Sequence, residues 1–270
     1  MIKLIEYLFY ITYRCNAFEP KLIKYQGYRP KSVLPWKKQT KLKWRTIKKI
    51  LREIRVYDGV QIRNILKILV NKHSELFKSD NVYITSFGEI GKSGGKIIYE
   101  FKHALKEISG KIIEPWKIPQ LPENSKIIFI DDLIGTGRQS TKYILEKLYQ
   151  ILNPSHKAYL LCLCATPEGK NKVESESGFE IICNELLSEG SHQYYSEKCK
   201  IFTEDEKLSL KTINDTLSSS TTKKYDKGLL IAFYYSVPNN TMPIIWKDNY
   251  PYLNNRGEQK KWFALMPREY

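Results

Sequence analysis

Lys126 to Thr141 reads KIIFIDDLIGTGRQST, and the order of residue types in it decides the fold. Ile127 to Ile130 is an unbroken apolar run of the length expected for a strand buried on both faces, so Lys126 to Asp131 is predicted as a central strand. Asp131 and Asp132 stand at its carboxyl end, where parallel sheets bind their ligands. Leu133 and Ile134 then lead into Gly135-Thr136-Gly137-Arg138-Gln139-Ser140, which opens a helix. Glycines permit a tight turn whose N–H groups converge on one point, and a helix N-terminus adds partial positive charge for an anion. Thr136, Ser140 and Thr141 add hydroxyl donors for the same phosphate, and vicinal carboxylates suit the vicinal hydroxyls of a ribose. The stretch therefore predicts a site for a ribose 5-phosphate.

The flanking sequence alternates strands and helices. Asn81 to Phe87, NVYITSF, reads as a strand, followed by the glycine-rich GEIGKSGG from Gly88 to Gly95 and a helix from Lys96 to Ile108. Ile112-Ile113 reads as a short strand, and Glu114 to Asn124, rich in proline, as a loop. Gln139 to Leu152 is a predicted helix and Lys157 to Ala165 a strand; Thr166-Pro167-Glu168 has the form of a helix start, and Phe179 to Cys183 is a further strand. Upstream, Gln39 to His73 has helical periodicity with a break at Asp58-Gly59. Beyond Asn184 the pattern weakens to a helix from Thr203 to Leu217, a mobile polar stretch from Ser218 to Thr222 and a late strand from Gly228 to Tyr235. This is an α/β pattern: a mainly parallel sheet of about five strands with helices on both faces.

Four apolar residues, two acids, two apolar residues and a Thr-Gly loop resemble the phosphoribosyl pyrophosphate (PRPP) motif of type I phosphoribosyltransferases. The likeness extends as a fold pattern over Asn81 to Cys183. The resemblance implies that Asp131 and Asp132 are the catalytic acids, hold the ribose hydroxyls and, with PRPP, bind Mg²⁺. It implies that Gly135, Thr136, Gly137, Arg138, Gln139 and Ser140 cradle the 5-phosphate. A second loop in that family binds pyrophosphate, and Gly91, Lys92, Ser93 and Gly94 occupy the corresponding place. Arg138-Gln139 stand where a small residue and a threonine are common, and Glu114 to Asn124, with only Lys117, is short for the family's mobile catalytic loop. The C-terminal LLIAFYYSVPNNTMPIIW, with Pro238, Asn239, Asn240, Thr241, Pro243 and Trp246, then Trp262 and Pro267-Arg268, is similar to phosphoribosyltransferase-like domains of bacterial conflict systems. These include retron-associated anti-phage defence operons, which implies a defence effector or toxin. The activities implied are phosphoribosyl transfer or cleavage of a nucleotide glycosidic bond. Two alternatives stand beside them: a non-catalytic nucleotide or nucleic-acid-binding module, and a degenerate P-loop ATPase in which Ser86 to Ser93 is the phosphate loop, Ser86 replacing its first glycine.

Composition bounds the rest. With 42% hydrophobic and 13% aromatic residues, the chain lies outside the disordered class. Of its net +15, +12 falls in Met1 to Val56, which holds fifteen Lys and Arg against three Glu. Nine aromatics thread the same segment, including Tyr7, Tyr10, Tyr13, Tyr25, Tyr28, Trp36 and Trp44. It reads either as a nucleic-acid contact or as a solvated cationic face with ordinary core aromatics. Two parts are predicted, a basic N-terminal extension over residues 1–56 and a phosphoribosyltransferase-like domain with a C-terminal elaboration over residues 57–270. Cys15, Cys162, Cys164, Cys183 and Cys199 form neither a disulfide framework nor a zinc pattern, and Cys162 and Cys164 read as core. His73, His103, His156 and His192 show no metal spacing. Glu6 interrupts the apolar N-terminus, no cleavage site follows it and no eighteen-residue apolar run occurs, so the expectation is a soluble, cytoplasmic protein. The expected partners are a phosphorylated ribose or nucleotide, RNA, DNA or a reverse transcriptase nucleoprotein on the basic segment, and a second copy of the chain, with no membrane.

Overall fold

The computed structural model describes residues 17–30, 32–89, 91–218, 224–253 and 258–268. The chain forms two compact units, one from the segments up to Asp58 and from Glu189 onward, the other from Gly59–Ser188. The division differs from a cut after Val56 alone, because the N-terminal segment shares a core with the C-terminal one.

In the first unit the chain enters through α1 (Glu19–Leu22), α2 (Val33–Thr40) and α3 (Trp44–Glu53). Ile47, Ile50 and Leu51 are buried on α3, while Arg45 and Arg52 lie exposed on its other side. Arg55–Tyr57 forms β1, a strand inside what the periodicity alone reads as helix. Its hydrogen-bonding partner comes from far along the chain.

The second unit begins with α4 (Gly59–Lys72) and α5 (Ser74–Lys78), followed by β2 (Val82–Ser86) and α6 (Ser93–Ala104). Short 3₁₀ turns at Lys106–Lys111 and Pro115–Gln120 carry the chain to β3 (Lys126–Ile134). Ile118 in the second turn is fully buried, so the proline-bearing loop is pinned to the core at its centre. After β3 come α7 (Arg138–Glu146), β4 (Lys157–Ala165), α8 (Pro167–Ser177) and β5 (Glu180–Leu186). The sheet order is β2-β3-β4-β5, every pair parallel, and Ile112 adds an isolated parallel bridge to Ile84. Ile127, Ile128, Phe129 and Ile130 are all fully buried, as a strand covered on both faces requires. β3 runs three residues beyond the expected Asp131, because Leu133 and Ile134 still pair with Cys164 and Ala165.

Back in the first unit, α9 (Glu204–Thr216) opens with a capping box: Thr203 Oγ1 accepts the Glu206 N–H, and the Glu206 carboxylate accepts the Thr203 N–H at 2.9 Å. β6 (Ile231–Phe233) pairs in parallel with β1. α10 (Pro243–Trp246) and the antiparallel pair β7 (Pro251–Leu253) and β8 (Gln259–Lys261) complete the unit. Residues 219–223, most of the expected polar stretch, lie outside the described residues, as do Tyr7, Tyr10, Tyr13 and Cys15. Tyr25, Tyr28 and Trp36 are buried in this core, with the Trp36 indole N–H donating to Ile244 O at 2.8 Å. These aromatics therefore act as packing.

The Pro-Asn-Asn-Thr motif knots the same core. Asn240 Nδ2 donates to Tyr225 O at 2.6 Å, Thr241 Oγ1 to Ile231 O at 2.6 Å and Trp246 Nε1 to Thr241 O at 2.8 Å. The Arg268 guanidinium lies 3.9 Å from the centre of the Trp246 ring and donates to Val237 O and Asn239 Oδ1. Glu206 ties α9 to α3 by accepting from Lys49 Nζ at 2.6 Å, Thr46 Oγ1 at 3.1 Å and Arg45 Nε at 3.3 Å. Burial pushes its carboxyl up, but Lys49, the Thr203 N–H and the Thr46 hydroxyl outweigh burial and hold it at about 2. A depressed carboxyl contributes stability above its unfolded pKa and loses it as pH falls from there toward about 2. Glu206→Gln is expected to cost about 1–3 kcal/mol at neutral pH. The gap from wild type should narrow as pH falls below the ordinary glutamate range and close only near about 2, as measured by urea denaturation.

Candidate functional site

Asp131 and Asp132 lie near the carboxyl end of β3, and the helix that packs on β3, α6, delivers Ser93 to them. The Ser93 hydroxyl donates to Asp131 Oδ1 at 2.6 Å, and the Asp132 N–H donates to the same oxygen at 2.9 Å. Asp132 Oδ1 accepts the Leu133 N–H at 2.7 Å. Burial of the Asp131 carboxyl and the neighbouring Asp132 charge push it up to about 8, against the pull of the two donors.

The glycine loop is seated backbone on backbone. Gly135, Thr136 and Gly137 are buried, and Gly137, the N-cap of α7, adopts φ 71°, which favours glycine. Beneath it lies the first turn of α8: Thr166 Oγ1 donates to Gly135 O at 2.5 Å and accepts the Gly169 N–H at 3.0 Å. A Cβ on Gly169 would come 2.0 Å from Gly135 O, and one on Gly137 would come 2.7 Å from Gly169 O. Thr166 and Gly169 thus set the height of the loop, a role that sequence reading assigned to neither. The Thr-Pro-Glu helix start was legible, but its place under the loop follows from the pairing of Ile134 with Ala165.

Thr136, Ser140 and Thr141 are buried beside the loop, and the Thr141 hydroxyl has no hydrogen-bond partner. Arg138 and Gln139 are exposed.

In the other loop, Gly88 and Gly91 take φ of 90° and 87°, Lys92 is the N-cap of α6, and Gly91 and Lys92 are exposed. Gly94 is a packing glycine: a Cβ there would stand 2.2 Å from Phe87 O and 2.8 Å from Ile130 O. The Gly95 N–H already donates to Lys92 O at 3.2 Å. Of the predicted pyrophosphate-loop residues, Ser93 is the one whose side chain is joined to the acidic pair. The histidines lie elsewhere: His103 packs on Tyr99, His156 bonds the Asn153 N–H, and His192 bonds Ser191. Among the described residues, no group of three or more His, Cys, Asp or Glu could hold a metal by itself, and no helix is long and apolar enough to cross a membrane.

The PRTase-CE family model matches residues 36–268, spanning both compact units and most of the chain. The chain belongs to the PRTase-CE family. Solved structures similar to this PRTase-CE chain include orotate phosphoribosyltransferase from Aeropyrum pernix, at 15% identity and a TM-score of 0.35, covering 48% of this chain and 73% of that one. Xanthine-guanine-hypoxanthine phosphoribosyltransferase from Helicobacter pylori matches at 14% identity and a TM-score of 0.35, covering 49% and 86%. Hypoxanthine-guanine phosphoribosyltransferase from Schistosoma mansoni, in complex with IMP, matches at 13% and 0.33, covering 49% and 66%. No curated protein matches the sequence. Family membership makes this a phosphoribosyltransferase-like protein and favours that reading over the P-loop ATPase.

Proposed function

We propose that this PRTase-CE protein binds a ribose 5-phosphate ligand of the PRPP or nucleotide type, with the 5-phosphate on Gly135 to Ser140 and the ribose hydroxyls on Asp131 and Asp132. The observation that carries the reading is the joint seating of acids and loop. Ser93 fixes Asp131 from α6, and Thr166 with Gly169 fixes the loop from α8. The buried, unpartnered Thr141 hydroxyl beside the loop supports an anion there.

Mg²⁺ fits as a guest of the ligand. It commonly takes one or two carboxylates and completes its shell with phosphate oxygens and water, and Asp131 and Asp132 offer that share. When bound it would offset charge on a departing pyrophosphate. The acids would orient the ribose for transfer to a base, or to water if the reaction is glycosidic cleavage. The C-terminal motif supports assignment to an anti-phage defence effector, although its contacts are structural.

Titration calorimetry with PRPP and Mg²⁺, set against ribose 5-phosphate and pyrophosphate alone, tests the reading. Micromolar PRPP affinity with weaker binding of the fragments is expected. No PRPP binding at millimolar concentration would overturn it.

A second reading rests on a separate surface. No Asp or Glu occurs from Pro20 to Arg52, and Lys38, Lys41, Lys43 and Arg45 are exposed around the turn between α2 and α3. With Tyr25, Tyr28 and Trp36 buried in the core, this surface suits nucleic-acid phosphates and lacks those rings for base stacking. Deleting residues 1–39 would remove buried Leu22 and Trp36, so neutralisation is the better test. Lys38→Gln, Lys41→Gln and Lys43→Gln together should weaken binding of a DNA or RNA duplex and lower the salt slope by up to about 3. An unchanged slope sinks this reading, and retained binding to an acidic protein alone would do the same.

A further inference from the structure

β4 and β5 each carry a cysteine that the ribose-phosphate reading does not use. Strand periodicity places Cys162 on the same face as Leu160, and Cys183 on the same face as Ile181, within the core that Ile144 of α7 and Val173 of α8 share. Register makes them direct neighbours: Asp131 pairs with Cys162 across β3–β4, and Cys162 pairs with Cys183 across β4–β5. Three chemically active side chains thus form one lateral row across β3, β4 and β5.

We propose that Cys162 and Cys183 are a thiol pair oxidised by hydroperoxides to a cross-strand disulfide beside the acidic pair. The two positions differ in access. Cys183 is partly exposed, whereas Cys162 is fully buried, so Cys183 meets the oxidant and Cys162 resolves it. Neighbouring strands run about 4.8 Å apart, inside the Cα separation of about 4.4–6.8 Å that disulfides accept. Register and a shared face set the two side chains next to each other across β4–β5. The neighbouring Cys162 thiol and the Lys170 ammonium hold the Cys183 thiol down at about 7, with burial and Glu174 opposing. Cys164, by contrast, pairs with Glu185, and its thiol points to Asp132 O at 4.0 Å. Cys199 is buried in the core of the other compact unit.

The chemistry balances. The Cys183 thiolate attacks a hydroperoxide ROOH, an S–O bond forms as O–O breaks, and ROH leaves with a solvent proton. The Cys162 sulfur then attacks the Cys183 sulfenic acid; S–S forms, S–O breaks, and the hydroxide departs as water with the Cys162 proton. Two thiols lose two electrons and the peroxide gains them.

Mass spectrometry of the full chain after brief hydrogen peroxide treatment tests this without any ribose ligand, so its outcome is independent of ribose-phosphate binding. The expected result is loss of two hydrogens and a Cys162–Cys183 cross-linked peptide, reversed by dithiothreitol. Cys162→Ser should stop at a sulfenic acid on Cys183 that dimedone traps, and Cys164→Ser should leave the bridge intact. Peptide mapping of the wild type stands even if a variant fails to fold. Absence of the bridge in the wild type, or its loss in Cys164→Ser with the fold retained, would overturn the proposal.

Discussion

Asp131→Asn with Asp132→Asn is expected to lower PRPP affinity by at least about 100-fold above pH of about 8, where both carboxylates are charge-assisted acceptors for the ribose hydroxyls. Folding should not suffer. Asn keeps an oxygen to accept from Ser93 and from the residue 132 N–H, and the change removes the Asp132 charge that crowds the buried residue 131. The melting midpoint is therefore expected to hold or rise. The wild type should also show a pH signature that the variant lacks. Asp131 is held up to about 8, so a ligand that needs the carboxylate binds more tightly as pH rises through that value. Stability runs the other way. A carboxyl raised on folding stabilises fully below its unfolded pKa, and that contribution is lost as pH rises through about 8. Calorimetry and thermal melts between pH 6 and 9, on both proteins, check these signs. Unchanged PRPP affinity in the double variant would remove the acids from the site.

What the sequence revealed about this site was the part written in consecutive residues. The apolar run, the two acids and the glycine loop are local, and the strand and helix they predict are present. The contacts that seat them are not local. Ser93 reaches Asp131 across 38 residues, and Thr166 reaches Gly135 across 31. Neither contact leaves a periodic trace. The same holds for β1, whose three residues sit between two helices and persist because Leu230 O accepts the Arg55 N–H and Tyr57 stacks on Phe233. Mixed basic and aromatic composition was equally ambiguous near the N-terminus. Charge stays at the surface whatever the fold, but whether Trp36 stacks a base or fills a core depends on Ile244, more than two hundred residues away.

Gly169→Ala separates local propensity from tertiary fit. Gly169 is the third residue of α8, where alanine is favoured over glycine by about 1 kcal/mol on helix propensity. The loop above reverses the sign. The new Cβ would lie 2.0 Å from Gly135 O, 2.9 Å from Gly135 C and 3.1 Å from Gly137 N, all backbone atoms that cannot rotate away. Either α8 tilts off the sheet or the loop lifts, and Thr166 can no longer bond both Gly135 and Gly169. A net loss of about 2–4 kcal/mol is expected by urea denaturation, as for other overpacked sites. PRPP affinity should fall at least about tenfold, since the phosphate donors move with the loop. Gly95→Ala in α6 is the control, because a Cβ there meets nothing within 4 Å. It should stabilise by about 0.5–1 kcal/mol. If both alanines stabilise alike, the loop does not rest on α8, and the geometry of the phosphate site has to be drawn differently.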